Sequence, residues 1–326
     1  MNKERSRERY VGLFLICLML ILLSIAGCGR DTQHEVIDFS DTVQVARPDT
    51  SSQEGESLKV AVSAMVSPKA SFSYYRELLD YLGRKLDTRV ELIQRKTYGE
   101  VNELLGKGRI DIAFICSGPY AAAKEKYGFK LLVAPEIHGS HFYQSYLIVN
   151  KSSPYRNLED LRGKTFAFTD PDSNTGRLVP VYWLSLSGEH PEDFFGNTVF
   201  TYSHDNSIMA VSRGLVDGAA VDGLIWEYVS RTDPELTAST RVIKRSKRYG
   251  IPPVVVSPSL SRETGERIRD VFVTAHEDSV GRRILDGLKI DRFIVPRDEW
   301  YDPVREMLTH VRSQSGRLDE RAEPQG

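Results

Sequence analysis

Cysteine is almost missing from this chain: among 326 residues it occurs only as Cys17, Cys28 and Cys116. Cys17 lies inside the N-terminal apolar run and Cys28 just beyond it, so Cys116 alone remains for the folded part. No internal disulfide is available there, and stability must come from a core, which roughly 270 folded residues are enough to bury. An excess of one charge is missing too: 43 Lys and Arg stand against 45 Asp and Glu, for a formal charge of −2 at pH 7. Residues 1–27 hold four basic and two acidic side chains, so their removal takes the charge to −4. A mildly acidic chain has no electrostatic footprint for nucleic acid, which excludes that class of partner. Long apolar runs are also lacking. The one candidate, Val11 to Ile25, is shorter than the ~20 residues of a membrane-spanning helix. No repeat at a fixed period is present.

What is there begins at the N-terminus. Lys3, Arg5, Arg7 and Arg9 precede the apolar run, and small residues close it, the layout of a secretory signal peptide. The tetrad Ile25-Ala26-Gly27-Cys28 resembles the lipobox of bacterial lipoproteins. That resemblance implies cleavage before Cys28 and lipidation of its thiol, with a membrane-held protein on the extracytoplasmic face. An uncleaved anchor is the alternative, and it leaves the chain on the same side of the membrane. Residues 28–57 are polar, rich in Asp, Thr, Ser, Gln and Glu, a composition that favours a flexible tether.

From Lys59 short β-branched runs alternate with amphipathic stretches, which predicts an α/β fold of mostly parallel sheets covered by helices. Expected strands are Lys59–Val62, Val90–Ile93, Ile110–Ile115, Tyr146–Val149, Thr165–Phe168, Val199–Tyr202, Gly218–Val221 and Val254–Val256. Tyr75, Leu78, Leu79, Leu82 and Leu86 recur at helical spacing. Thr97 followed by Glu100 forms a capping box for the next helix. The length suits two lobes, with residues 58–145 and 250–315 in lobe 1, 146–249 inserted as lobe 2, and both crossovers acting as hinge strands. Residues 316–326 are expected to form a disordered tail.

In open α/β sheets ligands sit beyond the carboxyl ends of strands, at helix N-termini. After Thr165–Phe168 comes Thr169-Asp170-Pro171-Asp172-Ser173-Asn174-Thr175-Gly176, whose hydroxyls, amide and fresh helix N–H groups suit an anion. The same residue types serve as ordinary helix caps. The next exit brings His204, and Ile110–Ile115 leads into Cys116-Ser117-Gly118. Tyr98 and Tyr143 stand at a helix start and before the expected hinge, positions where tyrosine is more often packing.

Taken in order, these segments resemble the substrate-binding proteins of phosphate, phosphite and phosphonate ABC importers, of the periplasmic-binding-protein type. The likeness rests on Thr97-Tyr98, Gly108 to Phe114, Tyr143 to Val149, Leu158 to Lys164, Asp170 to Gly176, and Ser203-His204 through Val216-Asp217. It implies a type II two-lobed fold and capture of an oxyanion in the interlobe cleft. The partners it implies are an importer's permease and ATPase, and the protein is expected to act as a monomer without a cofactor. Ser173, Asn174, Thr175 and His204 are the implied oxyanion donors, with Tyr98 and Ser117 closing from lobe 1 and Tyr143 near the hinge. The family turn usually reads Ser-Thr-Ser-Gly; here Asn174 puts an amide where a hydroxyl is usual. Members that take aminoalkylphosphonates place acids around the amine. Gly250-Ile251-Pro252-Pro253 supplies none, which leaves Asp222 as the nearby carboxylate.

Other readings of the same residues stand beside this one. Cys116 with His204 as base would make a thiol-dependent enzyme. Glu136, His138 and His141 have the ligand types of a zinc site. The same clamp would also serve a lipoprotein that reports its ligand to a membrane sensor kinase.

Overall fold

The structure is a computed structural model and describes residues 57–65 and 68–322. The expected signal peptide and Cys28 lie outside them, as does the tether apart from its last residue. Among the described residues no helix is long and apolar enough to cross a membrane.

In chain order the strands are β1 (Leu58–Val62), β2 (Val90–Gln94), β3 (Ile112–Phe114), β4 (Lys130–Glu136), β5 (Phe142–Tyr143), β6 (Ser145–Asn150), β7 (Thr165–Phe168), β8 (Asn197–Phe200), β9 (Gly218–Asp222), β10 (Thr240–Arg245), β11 (Tyr249–Gly250), β12 (Val254–Val256) and β13 (Arg292–Ile294). They form a six-stranded sheet ordered β13-β4-β12-β3-β1-β2 and a five-stranded sheet ordered β10-β6-β9-β7-β8. In the first, β1 is parallel to β2 and β3, while β12 is antiparallel to both β3 and β4. Strands β1 to β4 therefore share one direction, and the strand that returns from the second sheet opposes them. In the second, β7 is parallel to β8 and β9, and the entering strand β6 is antiparallel to β9 and β10. Between the sheets the chain crosses twice, and the two crossings pair as an antiparallel ribbon with Tyr143 opposite Tyr249 and Phe142 opposite Gly250.

Alternation along the strands divides each core into two layers. Val60, Val62, Ile112, Phe114, Val254 and Val256 face the helices Pro68–Leu86, Arg262–Thr274 and Ser279–Leu288, which contribute Leu78, Leu82, Ile268, Phe272, Ile284 and Leu285. The alternate residues Ala61, Ala113 and Val255 face Val101, Leu105, Tyr120 and Tyr301. The second sheet repeats the scheme, with Leu147, Phe166 and Phe168 on one side and Ile148, Ala167 and Val221 on the other. The helix Tyr98–Gly106 starts on the expected capping box, Thr97 accepting from the Glu100 amide while the Glu100 side chain accepts from the Thr97 amide.

Two expectations are corrected. The strand foreseen at Val199–Tyr202 ends at Phe200, because Tyr202 takes φ 60°, which a β ladder does not tolerate. Lys96 Nζ lies 4.3 Å from the centre of the Tyr202 ring. The last helix runs Asp302–Ala322 and so continues through much of the expected tail. Arg317, Leu318, Glu320, Arg321 and Ala322 are strong helix formers, and after Pro303 in the first turn no proline occurs before Pro324.

Phe272 is 1% exposed and packs edge-on against Phe114 and Phe293, with centroids 6.0 and 4.9 Å away. Phe272→Ala should cost about 3–5 kcal/mol of stability, the range for truncating a buried phenylalanine. Urea denaturation of the full chain in detergent checks this; a loss below about 1 kcal/mol would contradict the packing described.

Candidate functional site

The carboxyl ends of β1 and β3 in one sheet and of β7 and β9 in the other bring their exit loops together. Three contacts hold the two sides against each other. The Tyr98 amide donates to Asp170 Oδ2 at 3.2 Å, the His204 amide donates to the Met65 carbonyl at 3.0 Å, and Asn174 Nδ2 donates to Tyr143 Oη at 3.1 Å. The approach is close at Gly118. A Cβ there would stand 2.5 Å from the Asp172 carbonyl oxygen and 2.9 Å from the Asn174 amide nitrogen.

On the second lobe the turn after β7 closes as a wide helical turn, Asn174–Leu178, capped by Ser173, whose hydroxyl accepts from the Gly176 amide at 3.0 Å. Gly176 is required there, because a Cβ would lie 2.2 Å from Thr169 Oγ1. Thr175 gives its carbonyl to Ser145 Oγ at 2.7 Å, which fixes the backbone and leaves its own hydroxyl buried without a partner. His204 opens the helix His204–Ser212. Its Nδ1 accepts from the Asp222 amide at 3.0 Å and lies 3.2 Å from Thr169 Oγ1. With Nδ1 accepting, the proton of the neutral ring resides on Nε2, which is buried and unpartnered. Burial lowers the His204 pKa to about 3, with Asp205 acting weakly the other way. The ring is therefore an uncharged donor.

The first lobe contributes two more orphaned hydroxyls, Tyr98 Oη and Ser63 Oγ, each on a residue with 0% exposure. Burial, reinforced by Cys116 and Asp170, holds the Tyr98 pKa well above the usual tyrosine value, so its hydroxyl stays a donor. Asn174 bonds Tyr143 through one end of its amide, and the other end is unpartnered. Buried polar atoms without partners are rare in folded proteins. Of the nine among the described residues, five lie on Ser63, Tyr98, Asn174, Thr175 and His204, and the other four are on Asn102, Arg241, His276 and His310.

Four of the expected ligand groups have partners within the protein, Ser173 through the Gly176 amide and three others. Ser117 Oγ and Tyr143 Oη bond each other at 2.6 Å, forming a support behind Asn174. Asp222 Oδ1 accepts from the Leu224 and Ile225 amides at 2.8 and 3.4 Å, so the side chain is a helix cap and its own amide orients His204. Ser63 was not among the expected residues, although it directly follows β1, where the strand-end rule points. Asp170 is a further addition, a carboxylate of the second lobe that accepts from the first.

The rival readings lose their geometry. Cys116 Sγ lies 3.8 Å from Tyr143 Oη, and burial raises its pKa against the pull of the Asn174 and Gly118 amides, the reverse of an activated thiol. Glu136 pairs with Arg292 at 2.9 Å, His138 Nε2 meets Arg231 Nη1 at 3.1 Å, and His141 stacks on Trp300 with centroids 4.0 Å apart. No metal-holding group of His, Cys, Asp or Glu occurs among the described residues.

A histidine that is neutral when buried but charged when unfolded stabilises the fold fully above pH 6.5 and progressively less as pH falls toward 3. The carboxyls work in the opposite sense: burial raises Asp170 to about 6 and Asp222 to about 7, and their contribution fades as pH rises through those values. Comparison with His204→Gln isolates the first effect. The stability of the natural chain relative to that variant should drop between pH 6.5 and 4 by up to about 1.4 kcal/mol per unit. A difference that does not change with pH would contradict the neutral, buried ring.

Comparison with known proteins identifies the family and the fold. The family described as "ABC transporter, phosphonate, periplasmic substrate-binding protein" matches residues 60–301. The chain is 26% identical over 267 residues to the phosphonates-binding periplasmic protein of Escherichia coli, covering 80% of this chain and 78% of that one. Among solved structures, a binding protein component of an ABC phosphonate transporter from Pseudomonas aeruginosa superposes with TM-score 0.75 at 23% identity, covering 79% of this chain and 87% of the other. PhnD1 from Prochlorococcus marinus, in complex with methylphosphonate, gives TM-score 0.71 at 20% identity over 78% and 98% of the two chains. These likenesses carry the type II periplasmic-binding-protein fold. With three quarters of its length inside the match, the chain belongs to the phosphonate substrate-binding family of ABC transporters.

Proposed function

We propose that this protein captures a small tetrahedral oxyanion, a phosphonate or its relatives phosphite and phosphate, between its lobes and hands it unaltered to an importer. One observation carries the reading: Thr175 Oγ1, His204 Nε2, Tyr98 Oη and Ser63 Oγ are buried donors with no partner among the described residues. An anion held among them supplies the acceptors that they lack, and each donor bond to a charged group is stronger than a neutral one. Asn174, expected as a further donor, is turned the other way: its Nδ2 is given to Tyr143 and its unpartnered atom is the acceptor Oδ1. No lysine or arginine joins the set. Arg177, the nearest along the chain, turns to the Pro171 carbonyl at 3.2 Å. Binding by dipoles favours an anion whose shape matches the donors over one that offers charge alone. On this reading Cys28 carries the lipid that holds the protein at the outer face of the membrane.

Calorimetric titration of the full chain with phosphate, phosphite, methylphosphonate and sulfate tests the proposal. At least one phosphorus oxyanion should bind, and silence toward all four would overturn it. His204→Ala should weaken that binding by roughly 1–3 kcal/mol, the range for removing one partner from a buried hydrogen bond. An unchanged affinity would place His204 outside the site.

Gly118→Ala should weaken binding by at least tenfold, roughly 1.4 kcal/mol, because the added methyl meets backbone atoms of the other lobe that no side-chain rotation can clear. Small-angle scattering with saturating ligand should then show a larger radius of gyration than in the natural chain. A variant that closes and binds normally would contradict the described fit.

A further inference from the structure

An interlobe cavity of about 160 Å³ adjoins the polar cluster. The two share a wall. Ser63 carries one of the orphaned hydroxyls and lines the cavity. Met65 gives its carbonyl to the His204 amide and packs with Tyr98 and Cys116, with Ile225 against them. Past this junction the lining turns apolar, with Val62, Phe114, Ile251 and Phe293 from one lobe facing Leu224 and Ile225 of the other. The two carboxylates on the wall are already engaged. Asp222 caps the Leu224 and Ile225 amides, and Glu227 Oε1 accepts from Tyr146 Oη at 2.5 Å. At the cavity's edge Arg231 Nη1 meets His138 Nε2 at 3.1 Å across the lobes.

We propose that this cavity is the seat of the ligand's organic substituent and that the preferred ligand is a phosphonate bearing an apolar group about the size of a benzene ring. The inference rests on the oxyanion reading above. A dry cavity of about 150 Å³ lined by Leu, Ile and Phe accommodates benzene, and the space here is of that size, with a mostly apolar wall that also carries Asp222, Glu227, His138, Arg231 and Lys289. Phosphate, phosphite and methylphosphonate leave this volume without a partner, so they gain nothing from its walls. An aminoalkyl substituent would bring an ammonium group against aliphatic side chains and carboxylates already bonded to other donors, and would lose hydration without a paired anion in return. A phenyl group loses only its contact with water.

The test is calorimetric titration of the full chain in lipid nanodiscs with phenylphosphonate, methylphosphonate and 2-aminoethylphosphonate. Phenylphosphonate should bind at least tenfold more tightly than either of the others. Leu288→Trp fills the cavity from a half-buried position on its wall; it should abolish that preference and leave methylphosphonate affinity unchanged. Methylphosphonate binding as tightly as phenylphosphonate, or 2-aminoethylphosphonate binding most tightly, would overturn the inference and leave the oxyanion reading standing. A preference for phenylphosphonate that survives Leu288→Trp, with methylphosphonate still bound, would also overturn it. Failure of all three to bind would overturn this inference, and silence toward phosphate and phosphite as well would remove the oxyanion reading with it.

Discussion

Hydrogen-bond donors that have been taken out of water must end on an acceptor, and the site is organised by that requirement. Thr175, His204, Tyr98 and Ser63 each present a buried N–H or O–H that no described residue answers. Their readiness to donate is protected by burial. The same desolvation that keeps His204 uncharged keeps Tyr98 protonated, so neither changes state in the neutral range. The surrounding bonds hold them in aim: the Asp222 amide fixes the imidazole tautomer, Ser145 pins the Thr175 carbonyl, and the Ser117–Tyr143 pair backs Asn174. A site made of neutral dipoles tolerates nearby carboxylates such as Asp170 and Asp222, which lie close without contributing to the donor set.

The two lobes supply different halves of this set, so on the proposed reading an anion held among them would join the lobes as it binds. The second lobe brings the turn at Ser173–Gly176 and the histidine; the first brings Ser63 and Tyr98. Asp170 couples them directly by accepting from the Tyr98 amide, at the start of the helix whose first turn carries the tyrosine. Gly118 sets how near the halves approach. The hinge is lighter by comparison, a ribbon of two residue pairs between Phe142–Tyr143 and Tyr249–Gly250. A thin connection and a closely fitted contact are what a clamp needs, because the free energy of closing then resides in the ligand and its donors.

Much of this was legible in the sequence. Strands with β-branched runs, such as Thr165–Phe168 and Val254–Val256, lie where periodicity puts them, and the capping box at Thr97 and Glu100 is formed as read. The strand-end rule led to Ser173–Thr175 and His204. Applied to the first strand as well, it would have reached Ser63. What escaped depends on contacts between distant segments. Ser117 and Tyr143 carry the right groups for a ligand, and only the fold reveals that they bond each other. Asp222 followed by Gly223 at a strand end was readable as a helix cap, yet its role in orienting His204 spans 18 positions of sequence. The edge strands β10 and β13 mix charged and apolar residues, because one flank of each faces solvent, and so lack a clean alternation.

The most direct measurement is a crystal structure of the protein with methylphosphonate bound. The account predicts phosphonate oxygens within about 2.6–3.2 Å of Thr175 Oγ1, His204 Nε2 and the Tyr98 hydroxyl, normal hydrogen-bond reach, with the Asp222 amide still bonded to His204 Nδ1. A phosphonate seated elsewhere, or donors that satisfy one another while the ligand lies apart from them, would contradict it.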